Sequence, residues 1–222
     1  MMSGDAKQSI SPVTSREAHR RALAMERLPI IRSALKLLDV RIPARLTYHT
    51  ALHARDVLYE ALLFALMEKR LTDHEIELLA IAAAYHDTGY LEQDHHNEIL
   101  GARRAEEAMK QANYSAEDVR AVVQAIKDTE LRRTEQGLQQ VSSSLLSDYL
   151  LDADVSNFGR DDFPMKARLV QEESGLSTRV FWHGVSELMT AHTWKTQAAT
   201  TLRQSKKKEN MDLVLDTIQH LP

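Results

Sequence analysis

Apolar residues recur along most of the chain at spacings of three and four, which is the period of an amphipathic helix. This period predicts helices over residues 17–39, 46–70, 98–111, about 115–129 and about 144–158, with two or three more over 161–222. Pro29 interrupts the first run, so that segment is either two short helices or one kinked helix. No stretch shows the alternation of a strand, and we interpret the polar residues 130–143 as a mobile connection. The pattern predicts an all-α fold.

One predicted helix departs from amphipathic patterning because small or apolar residues occupy nearly every side of it. It opens at Thr72 with a capping-box signature, and its apolar run reaches His86 and Asp87 before Gly89 supplies a stop. A helix that is apolar all round is expected to be buried. A buried carboxylate is normally paired or bound to a metal. The alternative is a capped helix end with a hydrogen-bonded histidine and a solvated aspartate.

Two further segments carry groups of the same kind. A second apolar run ends in acids, at Asp152 and Asp154, and is again followed by a glycine. The predicted helix over 46–70 carries His49 and His53, which are four residues apart and therefore share a helical face. Imidazoles and carboxylates thus recur at the ends and on the faces of apolar helices.

Composition narrows the functional classes. Hydrophobic residues make up 43% of the 222 residues, and glycine (7) and proline (5) are scarce, as suits a helical globular protein. The absence of cysteine excludes disulfides, thiolate metal sites and cysteine nucleophiles. A formal charge of −4 gives no reason to expect nucleic-acid binding. No apolar run approaches a membrane span, and the polar N-terminus lacks a signal core, so we expect a cytoplasmic protein.

The chain length suits one domain with an extension. We interpret residues 1–16, rich in serine, glycine and proline, as a disordered leader. Residues 17–160 form the predicted core domain with its N-terminal helix, and residues 161–222 form a helical extension that packs on it. We interpret the basic cluster Lys206–Lys208 as a solvated helix face.

Four of these side chains make a plausible ligand set for one divalent ion. They are His53, His86, Asp87 and Asp154, and two imidazoles with two carboxylates suit octahedral Mn²⁺, Fe²⁺, Co²⁺, Ni²⁺ or Mg²⁺. Such an ion lowers the pKa of its bound water and generates hydroxide near neutral pH. His49, one turn from His53, is close enough to act as the proton donor to a leaving oxygen.

The order of a histidine, a His-Asp pair and a distant aspartate resembles the HD-domain phosphohydrolases over residues 46–158. The segment 48–57 also looks like the corresponding part of the related cyclic-nucleotide phosphodiesterases, and 153–157 looks like the part that supplies their last ligand. This likeness favours Asp154 over Asp152.

The resemblance implies an all-α HD-domain helical bundle and a metal-dependent phosphohydrolase that uses a metal-activated water. It implies His53, His86, Asp87 and Asp154 as metal ligands. It implies His49 as the general acid, and Asp87 is expected to be a catalytic residue as well as a ligand. The expected substrate is a small nucleotide-type phosphate ester. The alternatives are a cyclic-nucleotide phosphodiesterase and a non-catalytic metal-binding HD sensing module.

Some family features are missing or shifted. The Gly-Tyr-Pro pattern of cyclic-di-GMP hydrolases is absent, and Thr88 and Gly89 stand where ppGpp hydrolases have Glu-Asp. His96 lies one residue from the spacing expected for a second metal, so one ion is favoured and two are the alternative. Lys127 and Arg160, with His96, are candidates for substrate binding. A homodimer is among the assemblies that the sequence allows.

Overall fold

The computed structural model describes residues 12–93 and 95–221, and most of this part of the chain is helical. Its ten α-helices are α1 (Pro12–Met25), α2 (Pro29–Val40), α3 (Ala51–Glu68), α4 (Asp73–Tyr85), α5 (Asn97–Gln111), α6 (Ala116–Lys127), α7 (Leu145–Asp154), α8 (Phe163–Ser174), α9 (Thr178–Ala191) and α10 (Gln197–Gln219). Short 3₁₀ turns follow α4 at Thr88–Leu91 and α7 at Ser156–Gly159. The predicted all-α fold with a helical C-terminal extension is confirmed.

Helices α3 and α4 form the centre of the main hydrophobic core. Every residue from 78 to 89 is buried, as the uninterrupted apolar run predicts. The capping box is present, because Thr72 accepts from the backbone N–H of Glu75 while the Glu75 side chain accepts from that of Thr72. The helix ends at Tyr85 and the chain continues into the 3₁₀ turn, so Gly89 is not the stop. A Cβ at Gly89 would lie 1.8 Å from the carbonyl oxygen of Asn97, so this glycine permits a close backbone approach.

The predicted helix over 46–70 begins later than expected. Thr50 is the N-cap of α3 and accepts from the backbone N–H of Leu52, so residues 47–50 are bends. His49 therefore precedes the helix, and its inferred place on a helical face with His53 is wrong. The first predicted run is two helices, α1 and α2, with Pro29 in the first turn of α2.

The connection over 130–143 contains an antiparallel hairpin, where the sequence pattern predicted no strand. Strand β1 (Leu131–Thr134) pairs with β2 (Gly137–Gln140), and Leu131 lies opposite Gln140. Gly137 follows the turn with a φ of +118°, a conformation that side-chain-bearing residues rarely adopt. The strands escape sequence analysis because each has four residues and β1 is almost wholly exposed, so no alternating pattern forms.

The extension packs against the core through both apolar and charged contacts. Ala198 and Ala199 of α10 belong to the main hydrophobic cluster. Arg160 donates to Asp56 of α3 at 2.8 Å, and Arg203 of α10 donates to Glu60 of α3 at 2.6 Å. A second cluster of apolar side chains lies within the extension and the preceding 3₁₀ turn.

Several smaller predictions can be compared with these elements. Of the predicted leader, residues 1–11 lie outside the described residues, and residues 12–16 are helical. Lys207 is 8% exposed and donates to the ring and carbonyl of His192, so the basic cluster is not a uniformly solvated face. Across the described ranges, no helix is both long and apolar enough to cross a membrane.

Candidate metal centre

The C-terminal end of α4 fixes the orientation of His86. This side chain is fully buried, and its Nδ1 lies 2.8 Å from the carbonyl oxygen of Ala83 one turn earlier. Because a carbonyl oxygen only accepts, Nδ1 carries the proton and Nε2 of a neutral ring presents its lone pair. Helix α5 packs closely behind this end, since a Cβ on Gly101 would lie 2.6 Å from the His86 carbonyl oxygen.

Four predicted ligands converge in front of that ring. Nε2 of His86 lies 3.0 Å from Oδ2 of Asp87 and 3.4 Å from Oδ1 of Asp154. Nε2 of His53 lies 3.3 Å and 3.2 Å from the same two oxygens. Adjacent ligands in an octahedral site with bonds of about 2.1 Å are separated by about 3.0 Å. The ligand atoms of His53, His86 and Asp154 all lie within 4.8 Å of one another, so this group could hold a metal ion.

Several buried polar atoms of this cluster lack hydrogen-bond partners. Nε2 of His86 and Oδ2 of Asp87 are buried and have no hydrogen-bond partner, and the same holds for Nδ1 of His53. With Nδ1 protonated, the neutral His86 ring turns a lone pair toward two carboxylate oxygens, which are also acceptors. Acceptors facing each other at this distance require a positive charge, and a divalent cation supplies it to all of them at once. The donor set therefore fits a metal.

The surrounding helices add to the demand for positive charge. Asp87 follows the C-terminus of α4, and Asp154 is the last residue of α7, so two negative helix ends meet at the cluster. Burial acts to lower the pKa of His86, but the negative charges of Asp87 and Asp154 outweigh it and raise that pKa well above its usual value. Without an ion, a second proton on this ring therefore supplies positive charge between the carboxylates, and a bound divalent cation would take its place. Burial acts to raise the pKa of Asp87, yet the imidazoles nearby hold it well below its usual value.

The two aspartates at the end of α7, Asp152 and Asp154, make different contacts. Oδ2 of Asp152 accepts from the backbone N–H and the hydroxyl of Thr196, both at 2.7 Å, and Oδ1 accepts from the backbone N–H of Lys195 at 2.9 Å. Asp152 thereby holds the start of α10. Asp154 instead faces the histidines, and its Oδ2 accepts from Nε2 of Gln140 at 2.7 Å. Since Gln140 also donates to the Thr129 carbonyl oxygen at 2.9 Å, the hairpin orients the carboxylate.

His49 lies beside the cluster and is held by the extension. Its Nδ1 contacts Oε1 of Glu173 in α8, and its ring stacks on Tyr90 with centroids 3.9 Å apart. Oε2 of Glu173 accepts from the backbone N–H groups of Thr47, Tyr48 and His49, at 3.0, 2.8 and 3.1 Å. Burial acts to raise the pKa of Glu173, but these contacts outweigh it and lower that pKa. Glu173 thus fixes the bend that carries His49.

A cavity of about 470 Å³ opens onto the cluster, within the size range of small-molecule sites. Asp87, Asp154 and His49 line it, whereas His53 and His86 are buried behind them. We call the polar lining residues the polar wall, and they are Tyr48, His49, Asp87, Tyr90, His95, His96, Asn97, Glu98, Thr129, Glu130, Gln140, Asp154 and Asn157. We call eight side chains of the second apolar cluster the apolar wall, and they are Val155, Phe158, Phe163, Ala167, Val170, Phe181, Val185 and Leu188.

The three predicted substrate-binding residues are placed differently. His96 is exposed and lines the cavity. Within the described residues, it does not join a second group of three metal-ligating side chains. Lys127 ends α6 and does not line the cavity, and neither does Arg160, whose guanidinium pairs with Asp56 and Asp162 at 2.8 and 2.6 Å.

Sequence analysis missed Gln140, Glu173 and the apolar wall. Gln140 depends on the hairpin, for which the turn glycine is the only local signal. Glu173 lies 124 residues from His49 along the chain, and no local periodicity links residues so far apart. The residues of the apolar wall have the sequence spacing of ordinary core residues. Only the three-dimensional structure shows that one side of this cluster lines the cavity.

Comparison with protein-family models gives no match for this chain, and comparison with curated proteins gives none either.

Proposed function

We propose that the protein is a metal-dependent phosphohydrolase of the HD type that cleaves a small phosphate ester. One observation carries the proposal. Two imidazole nitrogens and two carboxylate oxygens converge within 3.0–3.4 Å at the edge of a cavity, and buried atoms among them lack hydrogen-bond partners. His53, His86, Asp87 and Asp154 would hold the ion. When bound, a divalent cation polarises a phosphoryl oxygen and makes hydroxide available near neutral pH.

The chain's own residues supply the remaining needs of ester cleavage. His49 lines the cavity beside Asp87, and Glu173 accepts from its Nδ1, which leaves Nε2 for the substrate. In its protonated form this ring can give a proton to the departing oxygen, the role of a general acid. The stacked Tyr90 ring and the Glu173 carboxylate hold the imidazole in one orientation. Gln140 holds the carboxylate of Asp154 in place.

The test is hydrolysis of two chromogenic esters, bis(p-nitrophenyl) phosphate and p-nitrophenyl phosphate, with added Mn²⁺ and with chelator. We expect metal-stimulated hydrolysis by the wild type and its loss in Asp87→Ala. The matched control is Asp73→Ala at the opposite, exposed end of the same helix, which is expected to hydrolyse like the wild type.

The outcomes separate the proposal from its main rival. Uptake of metal without hydrolysis of either ester, or of a panel of cyclic and linear nucleotides, would support a non-catalytic metal-binding module. Hydrolysis that survives in Asp87→Ala at the wild-type rate would show that the activity belongs elsewhere.

A further inference from the structure

The cavity beside the metal centre is lined on one side by an unusually apolar surface. Phe158, Phe163 and Phe181 are each at most 7% exposed and belong to the second apolar cluster, together with the partly buried Val185 and Leu188. Protein interiors are close-packed, and a cluster that served only stability would be covered by other side chains. Here one side of the cluster faces the cavity instead.

The charged residues around the same cavity are acidic. Glu98 and Glu130 line it together with the two aspartates of the metal centre. In the described part of the chain, no lysine or arginine lines it. Recognition of a second or third phosphate usually depends on such cations, arginine above all. Extra phosphates would meet carboxylates instead, so the cavity suits a ligand with one phosphate held at the metal centre.

The apolar wall is continuous with the metal centre along the chain as well as in the cavity. Asp154 ends α7, and the wall begins at the next residue, Val155, and continues to Phe158 in the following 3₁₀ turn. A phosphate placed at the aspartates therefore directs the rest of its ester along this surface. Aliphatic and aromatic groups gain affinity there by leaving water.

We propose that the site takes a monophosphate ester of an apolar alcohol, with its alkyl or aryl group against the wall formed by Phe158, Phe163, Phe181, Val185 and Leu188. This deepens the proposed function and rests on it, because the phosphate position is that of the metal centre. Polyphosphates and esters of highly polar alcohols are poor ligands by the same reasoning.

The test measures binding, so it does not depend on turnover. Methyl-, butyl- and hexylphosphonate, which cannot be hydrolysed as esters, are titrated into the Mn²⁺-supplemented full-length protein by calorimetry. We expect the dissociation constant to fall by up to about fourfold for each added methylene that is buried. Hexylphosphonate should therefore bind at least about tenfold more tightly than methylphosphonate.

A matched pair of variants on α9 tests whether the increase in affinity with chain length depends on the apolar wall. Val185→Lys puts a cation into the apolar lining, whereas Val180→Lys makes the same change at a position that is 56% exposed and outside the cavity. We expect Val185→Lys to lose the gain with chain length and Val180→Lys to keep it. Circular dichroism shows whether both variants fold.

Three results would overturn the assignment: equal affinities along the series, no binding of hexylphosphonate, or the same gain in both lysine variants. If Val185→Lys does not fold, Leu188→Ala takes its place, and an unchanged gain in that variant overturns the assignment too. Absence of ester hydrolysis by the wild type would count against the proposed function and leave the binding result intact, so the two failures are distinguishable.

Discussion

The two walls of the cavity differ in how they are built and in what they can do. The polar wall contains Asp87 and Asp154 at the ends of α4 and α7. Their carboxylate oxygens lie 3.0–3.4 Å from the imidazole nitrogens of His53 and His86, which are buried behind the wall. The apolar wall comes from Val155, the 3₁₀ turn that follows it, α8 and α9, and it offers only apolar contact surface. Under the proposed function, the polar wall would carry the chemistry and the apolar wall would select the ester. Changes on each wall should therefore have different signatures.

The largest effect is expected at Asp154. Asp154→Asn removes one ligand charge, and we expect loss of all metal-stimulated hydrolysis and of the rise in melting temperature on adding Mn²⁺. Asp148→Asn, on the same helix but outside the cavity, is the control and should behave like the wild type. In both variants, scanning calorimetry measures the melting temperature and the chromogenic assay measures hydrolysis. If Asp154→Asn still binds metal and hydrolyses at the wild-type rate, the polar wall does not have the role in chemistry that distinguishes it from the apolar wall.

His49 is expected to affect rate without affecting the ion. His49→Ala should slow hydrolysis by about 100-fold or more, the usual contribution of a general acid. The metal content, measured by elemental analysis, should stay at the wild-type level because the ring is held by Glu173 and Tyr90. Loss of metal from this variant would instead make His49 a ligand.

Gln140 should affect metal affinity. Gln140→Leu removes the donor to Oδ2 of Asp154 and also leaves the Thr129 carbonyl oxygen without that donor. Partners of this kind usually contribute about 10- to 100-fold in metal affinity or activity. The readout is the Mn²⁺ dissociation constant, and Gln139→Leu, the adjacent strand residue outside the cavity, is the control. Equal affinities in the two variants would mean that the hairpin does not tune the site.

The smallest effect is expected on the apolar wall. Leu188→Ala removes part of that surface, and kcat/KM should fall by about tenfold or less for an alkyl phosphate ester. For methyl phosphate, which does not reach the wall, kcat/KM should be unchanged. An equal fall for both esters would indicate a general loss of structure and not a change in specificity.

The same contrast explains what could be predicted from the sequence. The apolar helix that leads to His86 and Asp87 and the end of α7 at Asp154 are local patterns, since an apolar run that stops at an acid can be recognised along the chain. The partners Gln140 and Glu173 are not local, because the first depends on a hairpin with almost no alternating pattern and the second on contact between distant segments. Arg160 shows the opposite error: it is basic and near the site in sequence, but acids on α3 and its own loop hold it.

The boundary at His49 has a similar cause. The apolar period continues through residues 46–70, yet Thr50 accepts from a backbone N–H and begins the helix at Ala51. Glu173 then binds the backbone N–H groups that precede the cap. A polar contact from another part of the chain therefore decided what hydrophobic periodicity alone did not.

The central claim is that His53, His86, Asp87 and Asp154 share one divalent ion. Anomalous diffraction at the manganese edge, from crystals grown with Mn²⁺, tests it most directly. The account predicts one strong peak within about 2.0–2.3 Å of Nε2 of both histidines and of an oxygen of both aspartates. Absence of a peak there, or a peak only at other residues, would contradict it.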